Sequence, residues 1–209
     1  MSVALSGRRP VCDGCARPLA GCWCRCVHRV DNHAKLLILQ DPDEHGHAKG
    51  TAALLARCLT QAELRVGERF EPPADLGGHA LLYPDTPGGR SLGGPAAVPL
   101  SVPHGSAEPL TLIVLDGTWR RSRRILHQNP WLQTLPRVAL QAPPPSLYSI
   151  RRAQAESHRS TLEACALALA QLDGDAARYE PLWRAMDEFI ALQARLAGVR
   201  AQPAPDDAR

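Results

Sequence analysis

Short apolar runs separated by polar, periodic segments dominate the pattern of this chain. Each run has the length of a buried strand and contains little or no polar alternation. Four such runs predict strands at residues 35–39, 80–84, 110–115 and 137–140. Strands that are apolar on both faces are typical of a parallel sheet with helices on each side.

The segments with helical periodicity alternate with these runs. They predict helices at about residues 48–60, 118–127, 160–172 and 180–196. Residues 85–106 are rich in Gly and Pro and predict a surface loop, while residues 201–209 predict a disordered tail. The alternation indicates an α/β fold with a mostly parallel sheet flanked by helices. Neither Gly88-Gly89 nor Gly93-Gly94 has phosphate-loop spacing, which argues against a dinucleotide fold or a P-loop ATPase.

Composition narrows the class of protein. The 209 residues are 44% hydrophobic, which favours one principal domain over a disordered chain. Only Lys35 and Lys49 are lysines among the 24 basic residues. Arginine suits bidentate recognition of RNA phosphates, although GC-rich codons would produce the same bias. Because no apolar run approaches the ~18 residues of a membrane span, we expect a cytoplasmic protein without a membrane partner.

Closely spaced cysteines near the amino end form a C-x2-C-x6-C-x-C pattern. In a reducing compartment this spacing favours a metal site over disulfides. We expect four thiolates to hold one structural zinc ion, with no open position for catalysis. The expected ligands are Cys12, Cys15, Cys22 and Cys24, within a zinc knuckle at residues 1–33. Cys26 is an alternative to Cys24, and His28 and His33 are possible substitutes.

The strand predicted at 110–115 stops on a carboxylate, Asp116, and turns through Gly117 into a helix. Ligands of open α/β folds sit beyond the carboxyl ends of such strands. Asp116 is therefore a candidate site residue, although a helix-entry role explains it alone equally well.

The same helix carries a cluster of arginines at i, i+1, i+3 and i+4: Arg120, Arg121, Arg123 and Arg124. No acidic residue within the helix pairs with them, so we expect contacts with RNA phosphates. The alternative is an ordinary solvated face.

Four landmarks together resemble the DTW-domain family. They are the cysteine pattern, the segment Asp41-Pro42-Asp43-Glu44 through Gly50-Thr51, Asp116-Gly117-Thr118-Trp119, and Tyr148-Ser149-Ile150-Arg151-Arg152 with Ser160-Thr161-Leu162-Glu163-Ala164. Two positions depart from the family pattern, since Asp41 replaces a histidine and Gly50 replaces an asparagine.

The resemblance implies a knotted-methyltransferase-like (SPOUT-like) core over residues 34–200 that binds S-adenosylmethionine. Members of this family transfer the 3-amino-3-carboxypropyl group of that donor to N3 of a tRNA uridine, at the variable loop in bacteria, and release methylthioadenosine. The partners implied are tRNA and S-adenosylmethionine. A monomer is the favoured state.

The resemblance also implies roles for the residues that match the motifs of the family. Asp116 is the expected general base, or else binds the amino group of the donor, and Glu44 is the next catalytic candidate. Residues expected to bind S-adenosylmethionine are Leu115, Asp116, Thr118, Trp119, Tyr148, Ile150, Arg151, Ser160, Thr161 and Glu163. Thr118 serves equally well as a plain helix cap, and a Ser160–Glu163 capping box is favoured over a ribose contact. Arg152 joins the helix arginines as an expected RNA contact.

Two other functions fit the sequence. A knotted RNA methyltransferase would use the same pocket and release S-adenosylhomocysteine. A zinc-containing RNA-binding module would bind tRNA without consuming the donor, but it would not require a carboxylate beside a pocket.

Overall fold

A six-stranded parallel sheet forms the centre of the protein, whose computed structural model describes residues 10–84, 95–100, 110–147 and 159–198. The strands are β1 (Lys35–Gln40), β2 (Ala62–Val66), β3 (His79–Leu82), β4 (Val98–Pro99), β5 (Thr111–Asp116) and β6 (Arg137–Ala139). Their order in the sheet is β2-β1-β5-β3-β6-β4, and every adjacent pair is parallel. The predicted α/β class with a parallel sheet is confirmed.

Within the described ranges, four α-helices cover the two faces of this sheet. They are α1 (Ala52–Cys58), α2 (Trp119–Gln128), α3 (Thr161–Asp173) and α4 (Glu180–Leu196). Apolar residues of α1, α3 and α4 share one core cluster with alternate residues of the strands, while α2 packs into a second cluster. In β5, Leu112 and Val114 belong to the first cluster and Ile113 to the second. Successive strand residues point to opposite faces, which explains why these strands are apolar throughout.

Two strands were absent from the sequence prediction. β2 lies at the edge of the sheet and leaves most of its side chains partly or fully exposed, so its sequence contains no apolar run. β4 is a two-residue strand, also at an edge, within the segment predicted as a loop. Edge strands need few apolar residues, and the hydrophobic pattern therefore gives little sign of them.

The prediction for the first helix was too long at its start. α1 begins at Ala52 rather than near residue 48, because the Gly50 amide donates to the His47 carbonyl in a turn. Glycine is unfavourable inside a helix and marks this boundary. The predicted helices at 118–127, 160–172 and 180–196 agree with α2, α3 and α4 to within one residue.

The cysteine-rich segment packs against the main body. Two 3-10 turns, Leu19–Gly21 and Cys24–Cys26, lie next to α4. Trp23, Cys26 and Val30 are buried in the first core cluster. The hydrophobic core is thus continuous across the predicted boundary at residue 33.

The knotted core stays a prediction, since residues 148–158 between β6 and α3 lie outside the described ranges, as do residues 201–209 of the predicted tail. Across the described ranges, no helix has the length and apolar character needed to cross a bilayer.

Candidate active site

The carboxyl ends of β1 and β5 place two polar side chains next to each other. Gln40 and Asp116 are partners in the parallel register, each at the last position of its strand. Gln40 Nε2 donates to Asp116 Oδ2 at 2.7 Å. Asp116 is 8% exposed, so it is largely removed from water.

The amino end of α3 closes over the same carboxylate. Thr161, the first residue of α3, donates its hydroxyl to Asp116 Oδ1. Ser160 caps this helix by accepting from the Glu163 amide at 3.2 Å, and Glu163 accepts from the Ser160 amide at 2.8 Å. The predicted capping box is therefore confirmed. Glu163 also accepts from Leu147 N and Ser146 Oγ, so its carboxylate is occupied by the chain itself.

Thr51 connects a further motif to this edge. Its side chain is buried at the start of α1, and its Oγ1 accepts from the Leu162 amide at 3.3 Å. Residues from three separate stretches, around Thr51, Asp116 and Thr161, thus meet at one place although far apart in sequence.

The turn from β5 into α2 is closely packed. A Cβ on Gly117 would lie 3.1 Å from the Arg121 Cβ and 3.5 Å from the Asp41 Cβ, so a side chain there would crowd both. Thr118 caps α2 by accepting from the Arg121 amide at 3.4 Å, as one of its two predicted roles requires. Trp119 stacks edge-on against Tyr83 with ring centroids 5.5 Å apart. Leu115 is half-buried against the second core cluster.

Acidic residues after β1 hold two of the α2 arginines. Arg121 Nη1 donates to Glu44 Oε1 at 2.5 Å, and Arg124 Nη2 donates to Asp41 Oδ2 at 2.6 Å. Asp43 also bonds to Arg121, and Glu68 lies 3.3 Å from Arg124. The hydrogen bond with Glu44 is the main cause that raises the pKa of Arg121.

These ion pairs correct the argument made from the sequence. No acid lies within α2, but the acids come from other elements that the linear pattern does not place beside it. Arg121 and Arg124 thus have acidic partners outside α2, and their expected contacts with RNA phosphates stay a prediction. Arg120 and Arg123 are exposed, and neither forms an ion pair within the described ranges.

The four predicted cysteine ligands converge at the amino end. The Sγ atoms of Cys12, Cys15, Cys22 and Cys24 all lie within 4.8 Å of one another. The Cys12–Cys22, Cys12–Cys24 and Cys15–Cys22 separations are 3.3, 3.7 and 3.8 Å. A tetrahedral zinc thiolate site requires about 3.8 Å between sulfurs. The cluster could therefore bind a metal ion, whereas Cys26 is fully buried in the core outside it.

The electrostatics of this cluster also suit a cation. The Cys15 amide, the Cys22 thiol and the Gly14 amide bond to Cys12 and lower its pKa to about 6. Desolvation, together with the neighbouring thiols, raises the pKa of Cys24 to about 12. One thiolate forms readily and the next is opposed, which is the behaviour expected of a cluster that needs a bound cation to ionise fully.

Arg57, near the end of α1, contacts the cysteine cluster from the main body. Its Nη1 donates to the Gly14 carbonyl at 2.7 Å and lies 3.6 Å from Cys24 Sγ. The guanidinium also lies over the Trp23 ring, 5.5 Å from its centroid. A positive charge beside the thiolates compensates part of their negative charge.

A comparison with family models identifies the chain. The DTW domain matches residues 9–194. This chain belongs to the DTW-domain family. The match extends from the cysteine cluster to α4 and includes all four sequence landmarks.

Similar proteins carry one activity name. The tRNA-uridine aminocarboxypropyltransferase 2 of Macaca fascicularis is 30% identical over 205 residues, covering 92% of this chain and 66% of the relative. The Drosophila melanogaster protein of the same name is 33% identical over 183 residues, covering 79% of this chain and 68% of its own. The Mus musculus protein is 30% identical over 207 residues. The chain spans about 66% of the length of the macaque and mouse relatives. No solved structure matches the chain.

Within the DTW domain, the structure brings together only part of the predicted site. Asp116, Ser160, Thr161 and Glu163 meet at one edge, and Glu44 lies beside them in an ion pair with Arg121. The predicted residues Tyr148, Ile150, Arg151 and Arg152 lie outside the described residues. Gln40 was missed, although its place at the end of an apolar strand was a usable signal.

Proposed function

We propose that this protein transfers the 3-amino-3-carboxypropyl group of S-adenosylmethionine to N3 of a tRNA uridine, with release of methylthioadenosine. The observation that carries the proposal is the convergence of three DTW motifs on Asp116 at the carboxyl edge of the sheet. The names of the relatives support the same activity.

The side chains present fit the donor. S-adenosylmethionine would supply a carbon activated by its sulfonium, so the leaving group needs no acid. The Asp116 carboxylate suits the ammonium group of the donor. Gly117 allows the turn that follows β5 to pack closely against Arg121 and Asp41. Leu115, Thr118 and Trp119 line the same turn.

Asp116 has two possible roles in this reaction. As a general base it would remove the N3 proton of uridine, whose loss makes the nitrogen nucleophilic. Otherwise it would bind the amino group of the donor. Both roles fit a nearly buried carboxylate with one donor on each oxygen.

Other nearby groups are less suited to be the base. Glu44 is 5% exposed and bonded to Arg121, so its charge is already neutralised by a guanidinium. Cys165 is fully buried, and desolvation together with the Asp116 charge raises the pKa of its thiol far above neutrality. Asp116 therefore remains the favoured residue for the chemical step.

For the tRNA, we propose that Arg120 and Arg123 make the first phosphate contacts on α2. Both are exposed and free of ion pairs within the described residues, whereas Arg121 and Arg124 are held by acids. Arg152 stays a predicted RNA contact.

We also propose that the four-cysteine cluster holds zinc in a structural role. The sulfur separations support four thiolate ligands, which leave no position for substrate. A knotted, SPOUT-like core within residues 34–200 completes the proposal for the fold.

The test is mass spectrometry of nucleosides and small molecules after incubation of unmodified tRNA with the protein and S-adenosylmethionine. We expect aminocarboxypropyl-uridine and an equal amount of methylthioadenosine. A methylated uridine with S-adenosylhomocysteine would instead indicate the RNA methyltransferase. Binding of tRNA without either product would indicate the RNA-binding module.

A further inference from the structure

We propose that Gln40 is a positioning residue that fixes the orientation of the Asp116 carboxylate. This inference rests on the proposed function, because it assigns to Gln40 an effect on the step in which Asp116 acts. Gln40 lies behind Asp116 and is expected to touch neither the donor nor the uridine.

The location of Gln40 in β1 is unusual for a polar residue. The preceding residues on the same face, Leu36 and Ile38, belong to the core cluster under α1, α3 and α4. Gln40 continues this row and is 3% exposed. A buried amide is costly unless its donors and acceptor have partners, so the structure must supply them.

One partner is the reactive carboxylate itself. Gln40 Nε2 bonds to Oδ2 at 2.7 Å, while the Thr161 hydroxyl bonds to Oδ1. With one donor on each oxygen, from β1 and from α3, the plane of the carboxylate is fixed. Each oxygen keeps a second lone pair for the substrate side.

The other partner orients the amide. Gln40 Oε1 lies 3.4 Å from Nδ1 of His45, an exposed residue after β1. A carboxylate only accepts hydrogen bonds, so the amide nitrogen must face Asp116 and the amide oxygen must face His45. His45 therefore donates through Nδ1–H and opposes rotation of the amide.

Loss of this amide should affect the rate more than binding. A displacement of about 1 Å at a reacting group can lower a rate by roughly 100-fold. Gln40→Met keeps the length and burial of the side chain and removes both polar groups. We expect it to lower the single-turnover rate by about 10- to 100-fold.

A double-mutant cycle with Asp116→Asn separates positioning from a general structural effect. If Gln40 acts through Asp116, Gln40→Met should cause no further loss of rate in the Asp116→Asn protein. Gln193→Met, at another buried glutamine on α4, is the matched control and should leave the rate unchanged in both backgrounds.

His45→Ala provides a second, surface variant in case Gln40→Met does not fold. We expect a loss of a few-fold that also disappears in the Asp116→Asn protein. Equal, additive losses in both backgrounds, or a normal rate for Gln40→Met, would overturn the inference. If the protein without substitutions forms no aminocarboxypropyl-uridine, the proposed function is wrong. If it forms the product and Gln40→Met has a normal rate, only the role of Gln40 is wrong.

Discussion

The carboxylates of Asp116 and Glu44, at the carboxyl edge of the sheet, differ in the groups that donate hydrogen bonds to them. Asp116 accepts from an amide and a hydroxyl, both of which are uncharged. Glu44 accepts from the guanidinium of Arg121, which compensates its charge. The same functional group therefore has uncharged partners in one place and helps to hold a loop in the other.

Replacing Asp116 with asparagine tests this distinction. The variant keeps the shape and removes the charge, so we expect the rate of uridine modification to fall by roughly two to four orders of magnitude. Isothermal titration beside single-turnover kinetics measures the two possible roles separately. Unchanged affinity for S-adenosylmethionine indicates a base, and weakened affinity indicates a contact with the amino group.

Asp31→Asn, at an exposed position before β1, is the matched control and should behave like the unmodified protein. Near-normal turnover and normal donor affinity in Asp116→Asn would mean that Asp116 has only a structural role at the entry to α2. The search for the base would then turn to Glu44.

The sequence located Asp116 because an apolar run ends on it. It did not locate Gln40, since the pairing of β1 with β5 depends on a register between residues that are far apart in the chain. It also placed four arginines together without the acids that neutralise two of them. Those acids follow β1 and β2, and only the tertiary fold brings them to α2.

At the scale of elements, α2 has two kinds of arginine. Arg121 and Arg124 hold the segment after β1, while Arg120 and Arg123 form no ion pair within the described residues. We therefore expect the first pair to contribute to stability and the second pair to contribute to RNA binding.

We expect Arg120→Ala and Arg123→Ala to weaken tRNA binding, each lowering the slope of log affinity against log salt by about one unit. Donor affinity and melting temperature should stay unchanged.

Arg121→Ala is the contrasting variant. It removes the ion pair of the buried Glu44 carboxylate and should cost roughly 1–3 kcal/mol in stability. Salt-dependent binding assays and thermal unfolding measure the two effects. Unchanged slopes for Arg120→Ala and Arg123→Ala would mean that these arginines form a solvated helix face and do not contact RNA.

A substitution at Gly14 tests the packing of the cysteine cluster. A Cβ there would lie 2.9 Å from Cys24 Sγ, closer than such atoms normally approach. We expect Gly14→Ala to displace that sulfur and weaken zinc binding at least tenfold, by about 1.4 kcal/mol or more. Gly21→Ala is the control in the same segment, because its Cβ would meet only Leu196 at 3.6 Å. Competition with a zinc-binding dye compares the two variants, and equal affinities would mean that Gly14 has no steric role.

Elements with a strong hydrophobic pattern were predictable. The strands β1, β3 and β5 and the helices α3 and α4 are mostly apolar on the faces that they bury, and their predicted positions were close. β2 and β4 are edge strands stabilised by their neighbours' backbone groups, so their own side chains carry little information.

At the scale of the whole molecule, the cysteine segment and the sheet share one hydrophobic core. Trp23, Cys26 and Val30 pack with residues of α1 and α4, and Val30 forms a parallel bridge with Leu59. Unfolding of the segment would therefore expose part of the main core.

Removal of the metal should thus destabilise the entire protein. We expect purified protein to contain one zinc per chain, and a strong chelator to lower the melting temperature by roughly 5–10 °C. Metal analysis and calorimetry with and without chelator measure this. Less than about half an equivalent of zinc in protein with full activity would contradict it.

The seven residues of α1 span about 10 Å and connect two distant chemical environments. At one end Thr51 accepts from the backbone of α3, and near the other Arg57 bonds to Gly14. A helix of this length is stiff, so a displacement at one end of α1 also moves the other end. A displacement of the cysteine segment on oxidation of its thiols would therefore reach Thr51 and the amino end of α3 through α1.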